Sequence, residues 1–350
     1  MKRALTVFCM LLVALTVFAQ GGNEVASSDE PSGKLVVYTT AAQAEQDTII
    51  WNGFCQKYPK ISVEVVTGGS GVLVSRVAAE KENPQADIVA GLNYPQAFGD
   101  DGDLWYSYVV PTNDTLPEAM QDDTDGKLHY SCTQFVCLIV NKDECAKLGV
   151  EVKSYADLLN PALKGHIISA DPAASSSAWN QLTTMLSVMG DSVADDKAWD
   201  YVEKFAANLG GVMSGSSSAC YKSVINGEYA VGVTYEAGVL DYLATGEYPY
   251  CEMVFPSEGI TQIKFASAIV NGCKNLENAK LYIDWIMSDE CQEALAKTSQ
   301  RQANPNFPSS FPSMPNSSEV DIKSRDDGYF ASNKPEIIEK WTSIWAKYSK

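Results

Sequence analysis

The pattern of this chain predicts an α/β fold of two lobes, each a mixed, mostly parallel sheet flanked by helices. Three observations lead there. Short apolar runs of strand length alternate with stretches of helical period throughout the chain. Strand-to-helix turns are rich in Gly and Ser, as in Gly68–Gly71. The ~330 residues that follow an export-signal pattern exceed what one apolar core usually serves.

In order, Leu35–Tyr38 reads as an apolar strand, and Asp47–Lys57 as a helix stopped by Tyr58-Pro59-Lys60. Ile61–Val66 is a second strand. Gly68–Gly91 continues as turn, helix, an Asn83-Pro84 break and a buried strand at Ala86–Ala90. Phe135–Val140 is a continuous apolar run, followed by Asn141-Lys142-Asp143 and a short helix. Tyr155–Pro161 reads as a helix closed by its proline. Trp199–Asn208 is helical and ended by Gly210-Gly211, and Ala230–Val233 is a buried strand. Leu276–Met287 and Glu290–Lys297 carry apolar residues at helical spacing. A Pro- and Ser-rich tail from Asn304 leads to a last helix, Pro335–Tyr348. No internal repeat is visible.

Residues 1–19, MKRALTVFCMLLVALTVFA, combine two early cations, an apolar core and a small-residue cleavage pattern at Val17-Phe18-Ala19. They read as a signal peptide cut near Ala19-Gln20, with 20–33 a flexible leader; a retained amphipathic anchor is the other reading. The run is short for a membrane span, and Cys9 lies inside it instead of after it as a lipoprotein signal requires. A soluble, exported, periplasmic protein without membrane insertion is expected. Removing Lys2 and Arg3 with the signal takes the formal charge from −18 to −20. That field disfavours nucleic acid and anionic membrane surfaces as partners, yet leaves room for an anionic ligand where a cleft's local potential opposes it.

Eight cysteines remain, at 55, 132, 137, 145, 220, 251, 273 and 291. An even count in an oxidising compartment permits disulfides without choosing among pairings, and buried free thiols are equally open. No Cys/His spacing suggests zinc, and no cofactor is expected. His129 and His166, the only histidines, suit core or surface roles. Neither pairs recognisably with a serine, and no Gly-x-Ser-x-Gly elbow occurs, so a secreted hydrolase is the weaker functional class.

Candidate contacts lie at strand-to-helix turns. Gly69, Ser70 and Gly71 leave backbone N–H groups open at a helix N-terminus, where the macrodipole favours an anion; an ordinary strand–turn–helix would read the same way. Thr39-Thr40-Ala41-Ala42 ends the first strand and opens the first helix, with hydroxyls that cap the helix or bind an anion. Asp171–Trp179, DPAASSSAW, is the richest run: Ser175, Ser176 and Ser177 offer hydroxyl and N–H donors for several oxygens, or a single serine cap. Ser214–Ser218 is a second cluster, or a plain loop.

Four segments carry a family resemblance: Lys34–Glu45 (KLVVYTTAAQAE), Ser75–Gly91 (SRVAAEKENPQADIVAG), Tyr221–Gly238 (YKSVINGEYAVGVTYEAG) and Lys274–Leu295 (KNLENAKLYIDWIMSDECQEAL). In order and spacing, over nearly the whole mature chain, they resemble the ferric-ion-binding branch of the bacterial periplasmic solute-binding proteins, receptors of ABC importers. The resemblance implies the type II periplasmic-binding fold: lobe one 34–133 with 267–310, and lobe two 134–266 with 311–350. Hinge strands are implied near Cys132–Val140 and Gln262–Val270, with closure around a ligand at strand ends and helix N-termini. Asn93-Tyr94, after the third strand, is placed facing the cleft, with a plain loop as the other reading. The implied partners are a small solute and an importer permease, for a monomer that binds and does not catalyse.

In the iron-binding members two adjacent tyrosines supply phenolates. Here Glu236 and Ala237 fall on those positions, with Tyr235 one residue early. One Tyr and one Glu fall short of the anionic oxygens that ferric ion wants. Relatives without the pair take phosphorylated small molecules, so the resemblance points to a phosphorylated sugar or an organophosphonate. Hydroxyls and helix N-termini would hold the phosphate. Glu236 and Asp171 would accept from sugar hydroxyls or an ammonium, with ordinary surface or capping roles as the plainer alternative. Iron held by Tyr235 and Glu236 is the competing ligand. Arg76 and Arg301 are the arginines available to assist, Arg76 reading better as a structural salt bridge within its helix.

Overall fold

Two long runs rich in β-branched and aromatic residues set the architecture. They form strand β5 (His129–Asn141), buried at all thirteen positions, and strand β9 (Ile260–Val270). The computed structural model describes residues 30–40, 44–92, 102–122 and 124–349; the signal-peptide reading at 1–19, most of the leader, Ala41 and Asn93-Tyr94 lie outside the described residues. The other strands are β1 (Ser32–Thr40), β2 (Lys60–Gly68), β3 (Ile88–Leu92), β4 (Trp105–Tyr106), β6 (Ile167–Ile168), β7 (Val231–Tyr235), β8 (Cys251–Val254), β10 (Arg301–Gln302) and β11 (Ile322–Lys323). The sheet runs β2-β1-β3-β9-β5-β7-β6, with β4 and β11 beside β9, and β8 and β10 beside β5.

Pairing is parallel in the outer parts, β1 with β2 and β3, and β6 with β7. The two long strands pair antiparallel with each other and with β3 and β7, while the short β11 runs parallel to β9. Along its first half β5 pairs with β9 and β10; along its second half it pairs with β7 and β8. A single strand thus leaves one core and enters another. The first core gathers Leu35, Val37, Phe54, Ile88, Ile269 and Ile283. The second gathers Leu138, Ile167, Leu186, Val202, Val231 and Trp341. A small cluster of Phe135, Val136, Ile260 and Ile263 lies where the crossing strands run side by side.

Helices cover the sheet: α1 (Ala44–Lys57), α2 (Ser70–Ala79), α3 (Lys142–Leu148), α4 (Ser176–Val188), α5 (Asp196–Asn208), α6 (Ser217–Ile225), α7 (Glu236–Leu243), α8 (Leu276–Ile286), α9 (Asp289–Leu295), α10 (Asp327–Ser332) and α11 (Lys334–Trp345). Local chemistry fixes their ends. The Asn141 side chain accepts from the amides of Asp143 and Glu144 to start α3. Gly210 and Gly211, at φ 73° and 88°, take the left-handed turn that stops the chain after α5. Through Ile337, Trp341 and Ile344, α11 packs on the second core.

One local expectation needs correction. Tyr155–Pro161 is not an α-helix but two short 3-10 turns, Ala156–Leu159 and Pro161–Leu163, because Asn160 leaves helical backbone to cap the second one. Thr39 and Thr40 end β1 and are buried there.

Among the described residues the eight cysteines form no disulfide. Burial pushes the Cys220 and Cys291 thiols up to about 12, which makes them poor nucleophiles. His129 is a core residue between the carbonyls of Tyr108 (2.7 Å) and Ser267 (3.2 Å). Among the described residues no helix is long and apolar enough to cross a membrane.

Asp87 joins the parts of the first core. Its buried carboxylate accepts from the amide of Val36 on β1 (2.8 Å), and from the amide and side chain of Asn275 (both 3.0 Å) at the start of α8. Asp87→Ala leaves these donors without partners in the interior. We expect a loss of ~2–4 kcal/mol in the free energy of urea unfolding, from desolvated donors at about 1–3 kcal/mol each. A loss below ~0.5 kcal/mol would show that the contacts carry no net stability.

Candidate functional site

Strand β2 ends at Gly68, and α2 begins two residues later with Gly69 as its cap. Glycine has no side chain to accept from the first turn, so those amides stay directed outwards at the positive end of a ten-residue helix. A second turn follows β6. The Asp171 carbonyl accepts from Ala174 N (3.0 Å) and Ser175 N (2.8 Å), and its Oδ1 accepts from Ala173 N (2.9 Å). This tight turn delivers Ser175 as the cap of α4, its Oγ accepting from Ala178 N at 3.4 Å.

The two turns line one cavity of about 670 Å³, large enough for a sugar phosphate. It brings together Ser70, Gly71, Ser175 and Ser176 of the residues singled out in the sequence. Ser177 stands behind them, its hydroxyl 3.3 Å from that of Ser175. Asp171 shapes the turn and also accepts from the Trp341 indole (3.3 Å), which ties α11 to it. Thr39 and Thr40, opposite Thr67 and Gly68 in the sheet, are buried next to this region and are not among the lining residues. Sequence reasoning gave no contact role to the lining side chains of Val72, Ser75, Trp179 and Lys334. Trp179 lay inside the quoted serine-rich run; Lys334 comes from the other end of the chain.

Glu236 occupies a different place from the one expected. It is fully buried at the start of α7. Arg301 Nε donates to both carboxylate oxygens (2.8 and 3.0 Å), and the Phe135 amide donates to Oε1 (2.8 Å). The Arg301 guanidinium also lies over the Phe135 ring at 4.1 Å and donates to Ser317 Oγ at 3.3 Å. Burial pushes the Glu236 carboxyl above its ordinary range, while Arg301 and the Phe135 amide pull it back. With both oxygens engaged inside the protein, Glu236 has no open face for a solute.

Tyr235 ends β7 and meets Tyr221 edge-on, ring centroids 6.1 Å apart at 88°. Burial and the neighbouring Tyr235 phenol hold the Tyr221 hydroxyl well above the ordinary range, which keeps it protonated. Arg76 pairs with Glu80 (2.8 Å) and lies over the Tyr38 ring. Among the described residues no group of three or more His, Cys, Asp or Glu side chains is placed to hold a metal ion.

The family model for bacterial extracellular solute-binding proteins matches residues 51–323, and the chain belongs to that family. An uncharacterized protein of Haemophilus influenzae is 30% identical over 285 residues, covering 79% of this chain and 80% of that one. A Salmonella typhimurium protein whose name assigns it 2-aminoethylphosphonate binding in the periplasm is 24% identical over 293 residues, 81% of this chain and 78% of that one. The periplasmic binding protein AfuA of Actinobacillus pleuropneumoniae, solved with fructose-6-phosphate bound, superposes with a TM-score of 0.76 at 26% identity, covering 90% of this chain and 99% of that one. The fold is that of the two-lobed periplasmic binding proteins.

Because the Glu236–Arg301 pair is buried, removing one partner strands the other. Glu236→Gln should lower the unfolding free energy by ~3–5 kcal/mol, and adding Arg301→Met should restore most of it. A single-variant loss under ~1 kcal/mol, or no recovery in the double variant, would contradict the pairing.

Proposed function

We propose that this extracytoplasmic solute-binding protein captures a small phosphorylated solute, a sugar phosphate or an organophosphonate, and delivers it to the permease of an ABC importer. One observation carries the reading. Two helix N-termini, one of them without a side-chain cap, converge on a cavity that has no acidic side chain among its lining residues, in a chain with 44 Asp and Glu. Such a cavity opposes the field of the whole protein and suits an anion with several oxygens. The Ser70, Ser175 and Ser176 hydroxyls add donors that reach single oxygens.

The relatives named for 2-aminoethylphosphonate and solved with fructose-6-phosphate support the same class of solute. Ferric ion fits less well. With Glu236 held by Arg301, only Tyr235 is left of the two oxygen donors considered for it. The protein works by binding, as a monomer. Residues 34–133 with 267–310 close against 134–266 with 311–350 by bending where β5 and β9 cross, and the permease reads the closed form.

A thermal-shift screen of the refolded mature protein tests this with fructose 6-phosphate, 2-aminoethylphosphonate, inorganic phosphate, free fructose and ferric citrate. A phosphorylated ligand at 100 times its Kd should stabilise by about 2.7 kcal/mol, with no response to fructose or iron. Ser176→Ala should weaken the phosphorylated ligand about three- to ten-fold, one hydroxyl hydrogen bond of ~0.5–1.5 kcal/mol. A response to ferric citrate alone, with a phenolate charge-transfer colour, would replace the phosphate reading with iron.

A further inference from the structure

The geometry points to Lys334 as the residue that reads the charge of the bound solute, its ammonium pairing with a phosphate dianion held between the turns of α2 and α4. This rests on the phosphorylated-solute reading above and adds to it the group that separates a doubly charged phosphate ester from the same molecule without its phosphate.

Helix energetics do not account for Lys334. It is the first residue of α11, followed by Pro335, and stands at the positive end of the helix dipole, where a cation is unfavourable and an acidic side chain is the stabilising choice. Nor does a protein partner account for it. Among the described residues many other lysines, Lys57 and Lys347 among them, sit in ion pairs. The Lys334 side chain makes no ion pair or hydrogen bond among the described residues. Its Nζ instead lies 5.0 Å from the centroid of the Trp179 ring, which fixes the ammonium against the cavity wall.

Lys334 is also half-buried, and burial with no neighbouring carboxylate pulls its pKa below the ordinary range. A partly desolvated cation is costly until an anion pairs with it. The cavity supplies the place for that anion. Ser70 and Gly71 enter from one side and Ser175 and Ser176 from another, and no lining side chain carries a negative charge. Backbone amides and hydroxyls would share the phosphate oxygens with neutral donors. Lys334 supplies the full positive charge, which distinguishes a dianion from a neutral hydroxyl group.

Calorimetric titration of the wild type, Lys334→Met and Lys334→Arg at pH 8 decides the matter, with fructose 6-phosphate, 2-aminoethylphosphonate and fructose as probes. Lys334→Met should weaken the phosphorylated probes at least ten-fold, and Lys334→Arg should stay within about three-fold of the wild type. The ligand-free melting temperature of Lys334→Met should equal or exceed that of the wild type, since an uncompensated cation at a helix start is removed. Wild-type affinity should fall more steeply with salt than that of Lys334→Met. Wild-type binding of a phosphorylated probe with unchanged affinity in Lys334→Met would overturn the role of Lys334 alone. No wild-type binding of any phosphorylated probe would overturn the reading beneath it. A lowered ligand-free melting temperature in Lys334→Met would reassign Lys334 to a structural role and likewise overturn the inference.

Discussion

The buried contact between Glu236 and Arg301 sits where the architecture changes hands. β5 takes β10 as its neighbour up to Thr133, and β7 from Val136 onward. The Phe135 amide falls in the gap between those neighbours, and Glu236 Oε1 accepts from it. Arg301 neutralises that carboxylate from β10 and rests on the Phe135 ring. One ion pair therefore satisfies the crossing strand's exposed backbone and links the end of β7 to β10. Two charges in so dry a place are tolerable only as a pair, since each alone would carry an uncompensated desolvation cost.

The cleft shows a different balance of charge. Glu236, turned inward and held by Arg301, is not among the residues that line the cavity between α2 and α4. Serine hydroxyls, small and apolar side chains, Trp179 and Lys334 line it, with no acidic side chain among them. In a strongly acidic protein, that local absence of acid supports the proposed anionic solute.

Much of the fold was legible because its signals are local. Continuous apolar runs marked β3, β5 and β7, helical spacing marked α5 and α8, and Gly210-Gly211 marked a stop. The convergence of Ser70-Gly71 with Ser175-Ser176 was also within reach, since each lies at a strand-to-helix turn. Tyr155–Pro161 misled because Asn160 and Pro161 split one apparent helix into two 3-10 turns. Glu236 misled for a different reason. Its partner Arg301 is 65 residues away, and only the pairing of β10 with β5 brings the two together. Lys334 could not be read at all from neighbouring residues, because its surroundings are built from distant turns. A cation at the start of a helix is a local anomaly that hints at a use elsewhere.

The most direct measurement is the backbone amide NMR spectrum of the labelled mature protein, recorded while fructose 6-phosphate is added. If a phosphate sits between the two turns, the amide protons of Gly71 and Ser176 should move downfield together, saturating at the same ligand concentration. The amide of Phe135, already donating to Glu236, should stay nearly still. Binding that leaves Gly71 and Ser176 unmoved while shifting Phe135 would contradict the account, for it would place the solute on the Glu236 carboxylate and not at the helix N-termini.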